Sequence, residues 1–188
     1  MNKKNIQQYM LKYLKRKIDF KIISYSLFEG PEGASIVLNI EECGEEKTLE
    51  GTGVGLVDAT FNAFLAGYLN QYKSLATISL SDAYFVIDYA KRNSDSNVKS
   101  RMKINLEFEN HSRAKTSFEE KTTSLSYTAV KAVMNAMQFY INCELLFARL
   151  KFLIEDAKKR SRPDMESAYC YALSSVVEVT NYRALKDV

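Results

Sequence analysis

Histidine is nearly missing from this chain of 188 residues, which has only one, and cysteine, proline and glycine are scarce at 3, 2 and 7. His111 has no HExxH or carboxylate pattern around it, and Cys43, Cys143 and Cys170 are widely separated with no CxxC spacing. Neither a disulfide framework nor a zinc site can be assembled from such a set, so no metal centre and no histidine-based triad is expected. So few glycines and prolines exclude a disordered chain and a turn-dense sandwich of many strands. No stretch approaches the roughly 20 apolar residues of a membrane span. The start, MNKKNIQQYMLKYLKRK, has no apolar core or small-residue cleavage site of a signal peptide, so a cytoplasmic chain is expected. A (β/α)₈ barrel needs roughly 250 residues and does not fit. The expectation is a protein that is not an enzyme and needs no cofactor.

What is present, 46% hydrophobic and 26% charged residues, supports one domain with a sizeable core. The net charge of +3 is unevenly spread. Residues 1–21 hold seven Lys and Arg against Asp19 alone, a local +6, which leaves −3 for the remainder. A basic segment can bind nucleic acid or an acidic membrane surface through Lys12, Lys15, Arg16, Lys17 and the cluster from Lys158 to Arg162. Packing explains the segment more simply. Ile6, Tyr9, Met10, Tyr13 and Leu14 recur at helical spacing and lay an apolar stripe on the body with lysines outward.

The order of elements is informative. Strands are predicted over 20–27, 34–41 and 47–52, separated by the turns Phe28–Gly33 and Glu42–Glu46. Gly53-Val-Gly-Leu-Val-Asp-Ala59 then leads into an amphipathic helix reaching Leu69. The pattern recurs: a strand from Ser79 to Tyr89, a polar loop over Lys91–Asn97, strands over 101–108 and 113–121, and a long helix from about Tyr127. Ile36–Ile40 and Ile104–Phe108 are 68 residues apart, and the helix starts at Asp58 and Thr128 are 70 apart. This is an α+β fold of two βββα repeats related by pseudo-twofold symmetry, spanning 18–142. One three-stranded sheet with one helix cannot close a core, so the copies are expected to pack on each other. An N-terminal amphipathic helix (1–17) precedes them. A helical extension (143–188) follows, with Pro163 opening a last helix that runs to about Leu185 and presents Tyr169, Leu173, Val176, Val177 and Tyr182.

The most specific motif is Gly53-x-Gly55-x-Val57-Asp58-Ala59 between strand and helix. Glycines at a helix start leave backbone N–H groups open to a carboxylate or phosphate, while Asp58 can equally cap the turn. No Gly-Lys-Ser/Thr follows, so it is not a P-loop, and no third glycine or βαβ context makes it a dinucleotide fingerprint. Glu41, Glu42, Glu45 and Glu46 do not have calcium-loop spacing. Tyr and Phe, 22 together, fall at core periodicity and not in stacking ladders.

With its flanking elements, this motif resembles the C-terminal regulatory domain of 2-isopropylmalate synthase and the related citramalate synthases. The resemblance covers about residues 18–142 in element order. It is carried by Gly53, Gly55, Val57, Asp58 and Ala59 in the first copy and by Ala132, Ala136 and Asn142 in the second. It implies a free-standing relative without the catalytic barrel, a homodimer that binds leucine or isoleucine at the helix starts, and a possible separate catalytic subunit. The site residues it implies are Gly53, Gly55, Leu56, Asp58 and Phe61, with Thr123, Ser124 and Ser126 in the second copy. There Thr128 stands where the family has aspartate, and Leu56 where it has proline. A homodimeric scaffold without ligand is the alternative, ahead of a nucleic-acid or membrane adaptor.

Overall fold

A computed structural model describes residues 3–88 and 101–180. The predicted polar loop over 91–97, Tyr89, and the C-terminal stretch with Tyr182 and Leu185 lie outside the described residues. Helix α1 (Lys3–Tyr13) buries Ile6 and Met10, and Tyr9, Tyr13 and Leu14 pack partly against the core. The segment is thus an amphipathic helix seated on the body, as its spacing predicts, but it ends at Tyr13 and not at residue 17, so Lys15, Arg16 and Lys17 lie beyond it.

Strands β1 (Phe20–Gly30), β2 (Gly33–Glu42) and β3 (Glu45–Gly53) form an antiparallel sheet in that order, covered by α2 (Leu56–Tyr68). After a 3-10 turn (Lys73–Thr77), β4 (Ile78–Asp88), β5 (Arg101–Asn110) and β6 (Lys115–Thr122) form a second such sheet, covered by α3 (Leu125–Lys159). Helix α4 (Pro163–Thr180) returns along α3 and begins at the predicted proline.

The two βββα units match in detail. β1 and β4 each have 11 residues, and each carries a register shift at its fourth position, Ile23 and Ser81. Leu38 pairs with Leu49 in one unit, and Leu106 pairs with Phe118 in the other. The helices begin at Leu56 and Leu125, which are 69 residues apart, one fewer than the sequence spacing suggests. That corrects the correspondence: Asp58 aligns with Tyr127, and Ala59 with Thr128. Both helices start before the predicted points, because the glycine or serine lead-in supplies the N-cap, Gly55 and Ser124.

Each helix sets small residues on its own sheet at i, i+4, i+8: Ala59, Ala63, Gly67 in α2 and Thr128, Ala132, Ala136 in α3. In the first unit the approach is backbone to backbone. A Cβ on Gly51 would overlap the Ala59 carbonyl oxygen and the Ala63 amide nitrogen, and would stand 2.7 Å from Ala63 Cα. The two units close one core between them. Phe61 of α2 places its ring 5.6 Å from Phe108 of β5, and Tyr25 of β1 hydrogen-bonds Ser126 at the start of α3 (2.9 Å).

α3 runs unbroken through 142 and 143, so the C-terminal extension begins inside a helix, with Leu146, Leu150 and Ile154 carrying the buried stripe onward. The 3-10 turn, which the periodicity does not reveal, is held by Glu144, whose Oε2 accepts from Ser74 N–H (3.0 Å) and Ser74 Oγ (2.7 Å).

Burial pushes the Tyr68, Tyr72 and Tyr140 hydroxyls and the Cys143 thiol above their ordinary ranges, and for Tyr68 the Glu42 acceptor adds to it. The folded state therefore holds these protons more tightly than the unfolded chain. Stability is full below the unfolded values and falls as pH rises, first above about 9 for the thiol and then above about 10 for the phenols. The tyrosinate absorbance of these three buried residues should then appear together with loss of far-UV circular dichroism. Titration of all the tyrosines ahead of unfolding would contradict these burials.

Candidate functional site

The Gly53–Asp58 turn lies where β3 leaves its sheet, and its register decides what stands beside it. Ala34 pairs with Gly53, so the tip of the β1–β2 hairpin, Gly30-Pro31-Glu32-Gly33, hangs next to the start of α2. Together they enclose a cleft of about 770 Å³. Its lining includes Phe28, Glu32, Ser35, Gly53, Val54 and Asp58. Glu29 is not part of the lining but lies near the helix start, with Oε1 3.9 Å from where a Cβ on Gly55 would be.

Asp58 is the third residue of α2, and its Oδ2 accepts from Val54 N–H (3.0 Å), holding the glycine turn against the helix start. The carboxylate also sits favourably at the positive end of the helix dipole. Gly53 has to be glycine because of it: a Cβ there would overlap Asp58 Oδ2 and stand 2.5 Å from Ala59 N. Asn62 ties the same corner by donating from Nδ2 to the Thr52 carbonyl (2.8 Å). The N-cap, Gly55, offers no side-chain acceptor to the first turn. Two large apolar side chains flank the turn in the open, Phe28 at 75% exposure and Val54 at 90%.

The second helix start is built differently. Ser124 Oγ accepts from Tyr127 N–H (3.3 Å), Ser126 is engaged by Tyr25, and Thr122 and Thr128 share a hydrogen bond (2.6 Å). Where the first copy has Gly53 and Ala59 with a carboxylate between them, the second has two threonine side chains bonded to each other. The aspartate is replaced by Tyr127, which is exposed.

No protein-family model matches this sequence, and no curated protein matches it.

Of the residues singled out from sequence, Gly53 and Asp58 line the cleft, Gly55 lies at its mouth, and Leu56 is half-buried beside it. Phe61 is not brought to it: the ring is 6% exposed and packed in the core against Phe108. Position 61 falls on the face of α2 that turns toward the second sheet. Thr123 is exposed, and Ser124 and Ser126 serve the helix cap and Tyr25. Ala132, Ala136 and Asn142 are buried in α3, where Asn142 holds the backbone of Ile18 in both directions (2.9 and 2.8 Å). Phe28, Glu29, Glu32 and Val54 were missed. The hairpin reads as a plain turn, and only the pairing of Ala34 with Gly53 carries it to the helix start.

Among the described residues, no cluster of three or more His, Cys, Asp or Glu side chains could hold a metal ion. Among them, too, no helix is long and apolar enough to cross a membrane. Three of the four cations in the C-terminal basic cluster are paired: Lys158 with Glu166, Arg160 with Asp156, and Arg162 with Asp164.

Proposed function

We propose that this chain is a non-catalytic regulatory module that binds one small amino acid in the cleft beside Gly53 and works as a homodimer. One juxtaposition carries the reading: a helix start without a side-chain cap borders a cleft that holds the carboxylates of Glu32 and Asp58 beside exposed apolar side chains. A zwitterion has a use for each part. Its carboxylate would take the first-turn amides of α2, its ammonium would meet the acidic side chains, and its aliphatic group would lie against Phe28 and Val54. The resemblance to the regulatory domain of 2-isopropylmalate synthase makes leucine or isoleucine the first ligands to test. The second helix start, with its serines and threonines already bonded, would hold none, so the expected stoichiometry is one per chain.

Thermal unfolding with leucine, isoleucine, valine and their 2-oxo acids tests this. A ligand at about 100 times its Kd adds about 2.7 kcal/mol, a rise of roughly 5–10 °C for a domain of this size. The amino acids should give the shift, the 2-oxo acids should not, and Asp58→Ala should abolish it. No shift with any amino acid would reject the sensor. Exposed Phe28 and Val54 favour the second reading, a homodimeric scaffold without ligand. In that case sedimentation would show a dimer that Phe28→Ser together with Val54→Ser dissociates.

A further inference from the structure

A second cleft, of about 930 Å³, lies between α1, the bridge from Leu14 to Asp19, strand β6 and α3. Its volume is in the range of small-molecule sites, roughly 300–1,000 Å³. The bridge is fixed at its backbone. Leu14 N–H closes onto Met10 O (3.1 Å), Asn142 holds Ile18 on both its N–H and C=O, and Phe20 N–H donates to Gln138 Oε1 (2.7 Å). Cys43 N–H adds a bond to Asp19 O (3.2 Å). The side chains on this fixed bridge are Lys15, Arg16 and Lys17, and all three line the cleft.

These cations are not explained by the packing of α1, because the helix ends at Tyr13. None of the three has an ion-pair partner among the described residues. Two of the acids in the lining are engaged elsewhere, Glu119 with Lys103 (2.7 Å) and Glu120 with Lys131 (3.1 Å) and Asn135. Lys3 is spoken for as well: its ammonium lies 3.9 Å from the centre of the Phe118 ring and donates to Ser117 O (3.0 Å). Asp19, at the end of the bridge, is the remaining acid in the lining, so the three cations of the bridge outnumber its one carboxylate and leave positive charge there for an anion to meet. The rest of the wall is mixed: Met10, Phe118 and Phe139 stand beside the amide side chains of Gln7, Asn135 and Gln138, with Leu11 on the rim at 70% exposure.

We infer that this cleft binds an anionic amphiphile, a phosphate, carboxylate or sulfonate head on an aliphatic or aryl body. Lys15, Arg16 and Lys17 hold the head, and Met10, Leu11 and Phe139 receive the body. The site is separate from the Gly53 cleft and does not depend on it. Such a head could be presented by a dissolved molecule or by a membrane surface, and the test distinguishes the two.

The chain is titrated calorimetrically with octyl phosphate below its micellar concentration, with inorganic phosphate, with octanol, and with phosphatidylglycerol vesicles. Octyl phosphate should bind one per chain and at least tenfold more tightly than either phosphate or octanol, with affinity falling as salt is raised. The triple variant K15Q/R16Q/K17Q and the single variant Leu11→Asp should each weaken it tenfold or more. All four side chains are exposed, so the melting temperature without ligand should not move. Asp58→Ala should leave octyl phosphate binding intact, which separates this site from the amino-acid cleft. Equal binding of inorganic phosphate and octyl phosphate would overturn the inference, as would full affinity in either variant. Binding to the vesicles without binding to octyl phosphate would overturn it too and make the bridge a membrane-surface contact.

Discussion

Gly51→Ala should lower the unfolding free energy by about 3 kcal/mol, the upper part of the usual range for overpacking. The added methyl would overlap Ala59 O and Ala63 N, both backbone atoms of α2, so no side-chain rotation relieves it. The helix has to lift from β3, and the stripe of Ala59, Ala63 and Gly67 loses its seat. Gly51→Val should cost more still. The neighbouring Glu50 is exposed, and Glu50→Ala should stay within about 0.5 kcal/mol. Urea unfolding of the three variants checks this. If Gly51→Ala matched Glu50→Ala, the close approach of α2 to its sheet would be refuted. Lifting α2 also moves Asp58 and the glycine turn, so the amino-acid response should weaken in the same variant.

Asn110→Ala should cost about 3 kcal/mol and act mainly on α4. The side chain is 4% exposed and fully used. Nδ2 donates to Glu178 O (2.9 Å) and Val179 O (2.8 Å), while Oδ1 accepts from Ser112 N–H (2.9 Å) and Ala114 N–H (3.0 Å). Thr77 adds a further tie at the same place through its hydroxyl bond to Thr180 O (2.8 Å). Removing the amide takes the partner from one buried and three part-buried backbone groups at once, and an unsatisfied buried group costs about 1–3 kcal/mol. Asn110→Asp retains the acceptor but sets a negative charge against two carbonyls, so it should be no better tolerated. Hydrogen exchange should show the α4 amides losing protection before those of β2. Uniform loss across the molecule would mean that α4 is not separately anchored.

The strands and helices were legible because their apolar spacing is regular. Ile36, Leu38, Ile40 and Ile104, Leu106, Phe108 alternate in register, and both sets are buried as that alternation requires. The helical stripe of α1 and the proline start of α4 were legible for the same reason. The repeat was legible in element order, but its helix alignment was off by one residue. A cap is chosen by backbone geometry: Gly55 and Ser124 sit in the N-cap position for different local reasons, and only Ser124 bonds the first turn.

The candidate sites divide along the same line. Sequence by itself determined the element order, the core faces and the glycine turn with its aspartate, since all of these depend on neighbours within a few residues. It also determined the excess of positive charge near the N-terminus. Tertiary structure decided which distant residues share a cleft. It brought Phe28 and Glu32 to Asp58 through the pairing of β2 with β3, and it buried Phe61 against Phe108. It also set Lys15, Arg16 and Lys17 along one cleft without ion pairs while it paired Lys158, Arg160 and Arg162. Such outcomes depend on contacts between residues tens of positions apart. No local spacing encodes them, because they are fixed only when the two sheets and α3 close one core.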